Sequence, residues 1–204
     1  MPEDKILDIV KAGLLHDIGK LKIEKSILNK KDKLTELEFM LIKRHCSLGH
    51  EMLADTDVID ANIKEAILFH HERIDGSGYP TGATGEHISE YAKIIAIADV
   101  YDAMTTDRAY KKKVTPFQAF HMFVTEGAGI FEASIVKIFL LNLSSHLVGT
   151  TVLLDNGMTG EVVYISPGEM DKPIVRIMSS YLQITVDSGP QIVDIIGGHN
   201  FDVD

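Results

Sequence analysis

Two adjacent histidines, His70 and His71, close an apolar stretch and lead into Glu72-Arg73-Ile74-Asp75-Gly76-Ser77-Gly78-Tyr79-Pro80. A second pair, His16-Asp17, lies upstream within Leu14-Leu15-His16-Asp17-Ile18-Gly19-Lys20. Imidazole and carboxylate are ligand types that suit zinc, manganese, iron and nickel. Placed inside hydrophobic segments, they need something to offset their desolvation, and a bound dication would do so. His45 and Asp99 are of the same kind, each set in an apolar run. Singly, each has an ordinary reading: an inward histidine is more often a hydrogen-bonded core residue, and a lone aspartate is often satisfied by a nearby backbone or lysine. Together, six such residues at the inner ends of successive helices point to one shared dinuclear cation site, because each would be costly if left unpaired.

The elements that must carry these residues are legible in the periodicity. Pro2, Glu3 and Asp4 suit a helix start, Ile6, Ile9, Val10 and Leu14 recur at helical spacing, and Gly19 reads as the stop. Thr35 to Glu38 has capping-box spacing, followed by Leu37, Met40, Leu41, His45, Leu48 and Met52 on one helical face, which turns His45 inward. Ile59, Ile63, Ala66, Ile67 and His70 form a third face. Residues 75–85 are rich in glycine and read as a loop. Helical patterning resumes from Ile88 to Met104 with Asp99 as its anomaly, and then from a Thr115-Pro116-Phe117-Gln118 cap and from Ala133 to Leu143.

Beyond His146 the period changes. Val148 to Leu154, an Asn156-Gly157 hairpin signal, Glu161 to Ile165, Pro173 to Met178, Gln183 to Val186 and Gln191 to Ile196 read as strands. The expectation is a mainly α protein: a helical bundle over residues 1–146 and a small strand-rich subdomain over 147–204, too small to stand comfortably alone and therefore packed on helices.

Composition bounds the function. The 204 residues are 45% hydrophobic and 25% charged, as in ordinary globular proteins. A formal net charge of −10 argues against a protein that coats long nucleic acid, whose affinity comes from lysines and arginines neutralising phosphates. Lys20, Lys22, Lys25, Arg108 and Lys111-Lys112-Lys113 still supply local positive charge for a small phosphorylated ligand. No apolar run is long enough to span a membrane and the N-terminus lacks the shape of a secretory signal, so a cytoplasmic location is expected. Cys46, the one cysteine, reads as a small buried hydrophobe.

The motifs resemble those of the HD-GYP family, bacterial members of the wider HD phosphohydrolases. Leu14 to Lys20 is similar to the family's HD motif with its trailing Gly-Lys, His70 to Pro80 to its HHE…DGxGYP signature, and Ile97 to Thr105 with Asp107-Arg108-Ala109-Tyr110 to its third block. The similarity runs from about Ala12 to Phe139. Carried over position by position, the resemblance implies metal ligands at His16, Asp17, His45, His70, His71 and Asp99, with Asp17 bridging two metals. It implies phosphate contacts from Lys20, Arg108 and Lys111, with Gly78, Tyr79 and Pro80 as the loop that names the family. Lys20 and Asp17 are then the catalytic residues.

The cofactors implied are two divalent transition metals, iron or manganese first and zinc or nickel as alternatives. The implied substrate is cyclic di-GMP, opened to pGpG and onward to GMP, with a homodimer or a signalling protein as a further partner. The family's helix preceding the HD motif, which carries a first histidine ligand, has no counterpart here, leaving His16, Asp17 and Asp99 for the first metal. Ala109 stands where proline is usual, and Phe131-Glu132 where Phe-Asp is common. Two other readings are a catalytically weak HD-GYP domain serving as a cyclic-dinucleotide sensor or scaffold, and a general HD nucleotidase.

Overall fold

The structure is a computed structural model, and it describes residues 1–107, 113–186 and 188–198. Eight α-helices among the described residues run in chain order: α1 (Glu3–Leu15), α2 (Lys25–Leu28), α3 (Glu36–Lys43), α4 (His45–Leu53), α5 (Ala61–Phe69), α6 (Glu90–Thr105), α7 (Pro116–Val124) and α8 (Ala133–Leu147). Five strands follow: β1 (Thr151–Leu154), β2 (Thr159–Ser166), β3 (Glu169–Ile177), β4 (Ser180–Gln183) and β5 (Ile192–Gly197). The chain divides into two compact units, one comprising Met1–Val100 with Gly129–Glu132, the other Tyr101–Ala128 with Ala133–Asp204. The change from helix to strand falls between Leu147 and Thr151, but the division by contact falls earlier and groups α7 and α8 with the sheet.

In the first unit, α1, α5 and the start of α6 meet around Ala12, Ile63, Ala66, Ile67, Tyr91, Ala92 and Ile95, all buried. α5 buries the face that its spacing predicts, whereas on α1 Ala12 turns inward, with Ile9 and Leu15 partly buried beside it, and the expected Ile6, Val10 and Leu14 are exposed; this packing orients the ends of α1 and α5 toward the same place. Asp60 caps α5 by accepting from the Asn62 N–H. The capping box at Thr35 and Glu38 starts α3 as its spacing predicts.

The single helical face expected from Leu37 to Met52 is broken, however. The Arg44 N–H bonds to the Leu41 carbonyl, a tighter turn that ends α3 and starts α4 afresh at His45. His45 is buried as expected, but Leu37 and Met40 are 73% and 62% exposed. Between α1 and α2 a 3-10 turn, Ile18–Lys22, lies against α4. Gly19 allows this approach: a Cβ there would lie 1.9 Å from the His45 carbonyl oxygen and 2.5 Å from the Gly49 nitrogen. Asp17 and His45 are thereby held close together.

In the second unit the strands form one antiparallel sheet in the order β4-β3-β2-β1-β5. The helices α7 and α8 pack on β3 and β2, which bears out the reading that the strands cover helices. Buried Phe117, Phe120 and Phe123 face from α7, and Leu140 and Leu147 from α8. The fourth strand differs from expectation. It runs Ser180–Gln183 rather than Gln183 to Val186, because a tight turn at Met178, with φ 54°, returns the chain at once and pairs Ile177 with Ser180.

Candidate metal centre

Three of the histidines lie at helix ends that meet at one place. His16 follows the last residue of α1, His70 follows the last residue of α5, and His45 opens α4. Their rings share one device. The Nδ1–H of His16 donates to the Gly13 carbonyl at 2.7 Å, that of His45 to Ile42 at 2.7 Å and that of His70 to Ile67 at 2.8 Å. A carbonyl oxygen can only accept, so each Nδ1 must carry the proton, and in the neutral ring Nε2 is left as a lone pair aimed inward.

His45 and His70 are at most 1% exposed, and their Nε2 atoms lie 3.2 Å apart. Asp17 Oδ1 is 3.3 Å from His45 Nε2 and, among the described residues, accepts no hydrogen bond although it is buried. Three acceptors thus converge with no proton between them, which is unfavourable unless a cation is shared. Two nitrogens bound to one ion at about 2.0–2.1 Å stand about 3.0–3.4 Å apart, which matches the His45–His70 spacing. The donor set therefore fits a divalent metal.

The other expected ligands close the cluster. His16 Nε2 is 3.3 Å from Asp17 Oδ2 and 3.8 Å from Asp99 Oδ1, while His71 Nδ1 is 3.8 Å from Asp99 Oδ2. Two groups result: His45, Cys46, His70 and His71, whose ligand atoms all lie within 4.8 Å of one another, and His16, Asp17 and His70, likewise within 4.8 Å. Two overlapping groups are the arrangement that two neighbouring ions would need. Asp17, with one oxygen toward His45 and the other toward His16, lies between them.

The electrostatics agree with a cation-binding role. Burial pulls His70 down to about 3 and His71 to about 2, with the neighbouring imidazoles adding to the effect, so both stay neutral and able to ligate. Burial also lowers His45. Burial would raise Asp17, but hydrogen bonds from His16 and Lys20 overcome it and hold the carboxylate ionised well below its usual range. His16 is the exception: burial works against its charged form, and the hydrogen bond to Asp17 with that to Gly13 outweighs it, raising the ring.

Lys20, expected as a phosphate contact, pairs with a candidate ligand. Its Nζ donates to Asp17 Oδ2 at 2.5 Å, on the rim of the cluster. Gly78, Tyr79 and Pro80 form the wall beside it. The Tyr79 ring lies 4.7 Å from His71 and 6.4 Å from His45, and the Tyr79–Pro80 peptide is cis. Gly78 is required by contact, since a Cβ would meet the Glu72 Cα at 2.4 Å. Arg108 and Lys111 lie outside the described residues.

Three site features escaped the sequence reading. Glu72 is buried and accepts from the Thr81 N–H and hydroxyl, the Gly82 N–H and the Ala83 N–H, so one carboxylate shapes the loop that holds Tyr79. Its place in the His-His-Glu run was the available signal. Lys43 sits 4.7 Å over the Phe39 ring and 5.0 Å over the Tyr79 ring, a cation–π bridge between α3 and the loop. The third feature is Cys46, whose Sγ is 3.5 Å from His45 Nε2.

Comparison with known proteins gives the same family. A sequence model described as HD domain matches residues 1–134. A cyclic di-GMP phosphodiesterase of Pseudomonas aeruginosa is 38% identical over 195 residues, 96% of this chain and 47% of that protein. A cyclic di-GMP phosphodiesterase response regulator of Xanthomonas campestris is 39% identical over 141 residues, 69% of this chain and 37% of that protein. The chain thus spans less than half the length of these two relatives. Among solved structures, an HDG"Y"P protein from Bdellovibrio bacteriovorus superposes with a TM-score of 0.55 at 20% identity, covering 67% of this chain and 43% of that one, a likeness of fold. With the HD and HHE…GYP motifs brought to one cluster, the chain belongs to the HD domain family, in its HD-GYP branch.

Proposed function

We propose that this chain is a metal-dependent phosphodiesterase that opens cyclic di-GMP to pGpG and carries it onward to GMP. The observation that carries this reading is the convergence of His45 Nε2, His70 Nε2 and Asp17 Oδ1 without a proton among them, beside His16, His71 and Asp99. The relatives' names supply the substrate. A pair of divalent ions, iron or manganese first and zinc or nickel as alternatives, would supply Lewis acidity that activates water and stabilises charge on the departing sugar oxygen.

The chain's own residues do the rest. Asp17 spans the two ligand groups and fixes their spacing, since each of its oxygens faces a different histidine. Lys20, already within 2.5 Å of Asp17, places an ammonium where negative charge develops on the phosphoryl oxygens. Tyr79 packs on His71, holding that imidazole in place and shielding it from water, with Gly78 and Pro80 completing the loop. Arg108 and Lys111 hold the substrate phosphates. In this reading residues 1–146 form the HD-GYP helical domain, residues 147–204 are a packing and partner element, and the protein works in the cytoplasm as a homodimer or with a signalling partner. No described helix is long and apolar enough to cross a membrane.

The test is product analysis. Metal-loaded protein incubated with cyclic di-GMP yields pGpG, the yield collapses with chelator and returns on adding metal, and Asp17→Asn yields none. Binding of cyclic di-GMP with no product under any metal would favour the sensor reading instead, and hydrolysis confined to mononucleotides would favour the general nucleotidase.

A further inference from the structure

We propose that Cys46 is a metal ligand, so that the ion held by His45, His70 and His71 sits in a site with one sulfur donor. The inference rests on the metal reading of this site and goes beyond it, since neither motif matching nor the sequence pattern assigns the cysteine a role.

Three observations carry it. The thiol is wholly buried, and Sγ lies 3.5 Å from His45 Nε2 and within 4.8 Å of the ligand atoms of His70 and His71. A nitrogen and a sulfur bound to one ion at about 2.0–2.1 Å and about 2.3 Å stand about 3.1–3.6 Å apart, which the His45–Cys46 spacing meets. Independently, the Nε2 atoms of His45 and His70 point at each other at 3.2 Å from fully buried rings whose Nδ1 protons are committed to the Ile42 and Ile67 carbonyls. The one thiol proton can serve only one of these lone pairs, so the His70 Nε2 and the unpartnered Asp17 Oδ1 beside it still call for a cation at this place.

The position also explains why the sulfur has no other use. Its recorded hydrogen-bond partner is His45 Nε2, itself a candidate ligand. Binding replaces the S–H bond with a sulfur–metal bond, and the proton leaves to solvent. A thiolate is a soft donor, so the site favours zinc or iron over manganese more strongly than a nitrogen and oxygen set would.

Cobalt(II) alone is the probe. The chain has one cysteine, so any thiolate-to-cobalt charge-transfer band in the near ultraviolet belongs to Cys46. The expected result is that band in cobalt-loaded wild-type protein, its loss in Cys46→Ser and Cys46→Ala with the visible cobalt bands retained, and zinc affinity weakened by about tenfold or more in both variants while manganese affinity changes far less. Visible cobalt bands without a charge-transfer band in the wild type would overturn the ligand role of Cys46 and leave the metal centre standing. Absence of any cobalt or zinc binding would overturn both. The wild-type spectrum decides even if a variant fails to fold.

Discussion

At the scale of single residues, the site is a set of imidazoles kept neutral by burial, and this has a consequence for acid stability. His70 and His71 sit at about 3 and about 2 in the folded chain against an ordinary 6.5. Unfolding restores the ordinary value, so between about pH 6.5 and about pH 3 the unfolded chain takes up protons that the folded chain refuses. Stability of the metal-stripped protein is therefore intact above about pH 6.5 and declines as pH falls, by up to about 1.4 kcal/mol per pH unit for each imidazole. Asp17, lowered in the fold, adds a loss of the same sign at still lower pH. His16, raised in the fold, contributes stability at low pH that is lost as pH rises, and so offsets part of the decline. Urea midpoints of chelated protein at about pH 7.5 and about pH 5 measure the balance. A clear drop at the lower pH is expected; equal midpoints would mean that these rings are not held neutral by burial.

At the scale of elements, the close approach of the Ile18–Lys22 turn to α4 sets the distance between Asp17 and His45, and Gly19 is what permits it. Gly19→Ala forces the two backbones apart, costing about 1–3 kcal/mol or more and lowering metal content with it. Gly13, inside α1 with nothing within 4 Å of its would-be Cβ, is the control: Gly13→Ala gains about 0.5–1 kcal/mol and keeps its metal. Thermal melting and elemental analysis of the two variants check this, and equal melting temperatures would refute the packing argument.

The same elements show what the sequence made legible. Periodicity and caps found α5, α7 and the Thr35 start of α3, because those signals are local. The six candidate ligands stood out because polar residues in apolar runs are costly. The break at Arg44, the three-residue shift of β4, the loop-building role of Glu72 and the direction of Cys46 were hidden, since each depends on contacts distant in sequence or on one tight turn.

At the scale of the molecule, all six candidate ligands belong to the unit containing Met1–Val100, whereas the unit containing the sheet contributes none. Its described histidines lie elsewhere: His121 on α7 pairs with the buried carboxylate of Asp171 on β3 at 2.9 Å, a pin between helix and sheet. Removing residues 148–204 should therefore leave metal stoichiometry unchanged while exposing the apolar faces of α7 and α8 that pack on β2 and β3. Elemental analysis with dye binding to exposed apolar surface checks both halves. A folded truncation that had lost its metal would place a ligand in the sheet unit, against the present assignment.

The central claim is that His16, Asp17, His45, His70, His71 and Asp99 together hold divalent metal. Elemental analysis of anaerobically prepared, chelator-free protein tests it most directly. The account predicts between about one and about two equivalents of transition metal per chain, falling together with activity in His70→Ala. Less than about a tenth of an equivalent, with added manganese or iron also failing to bind, would contradict it.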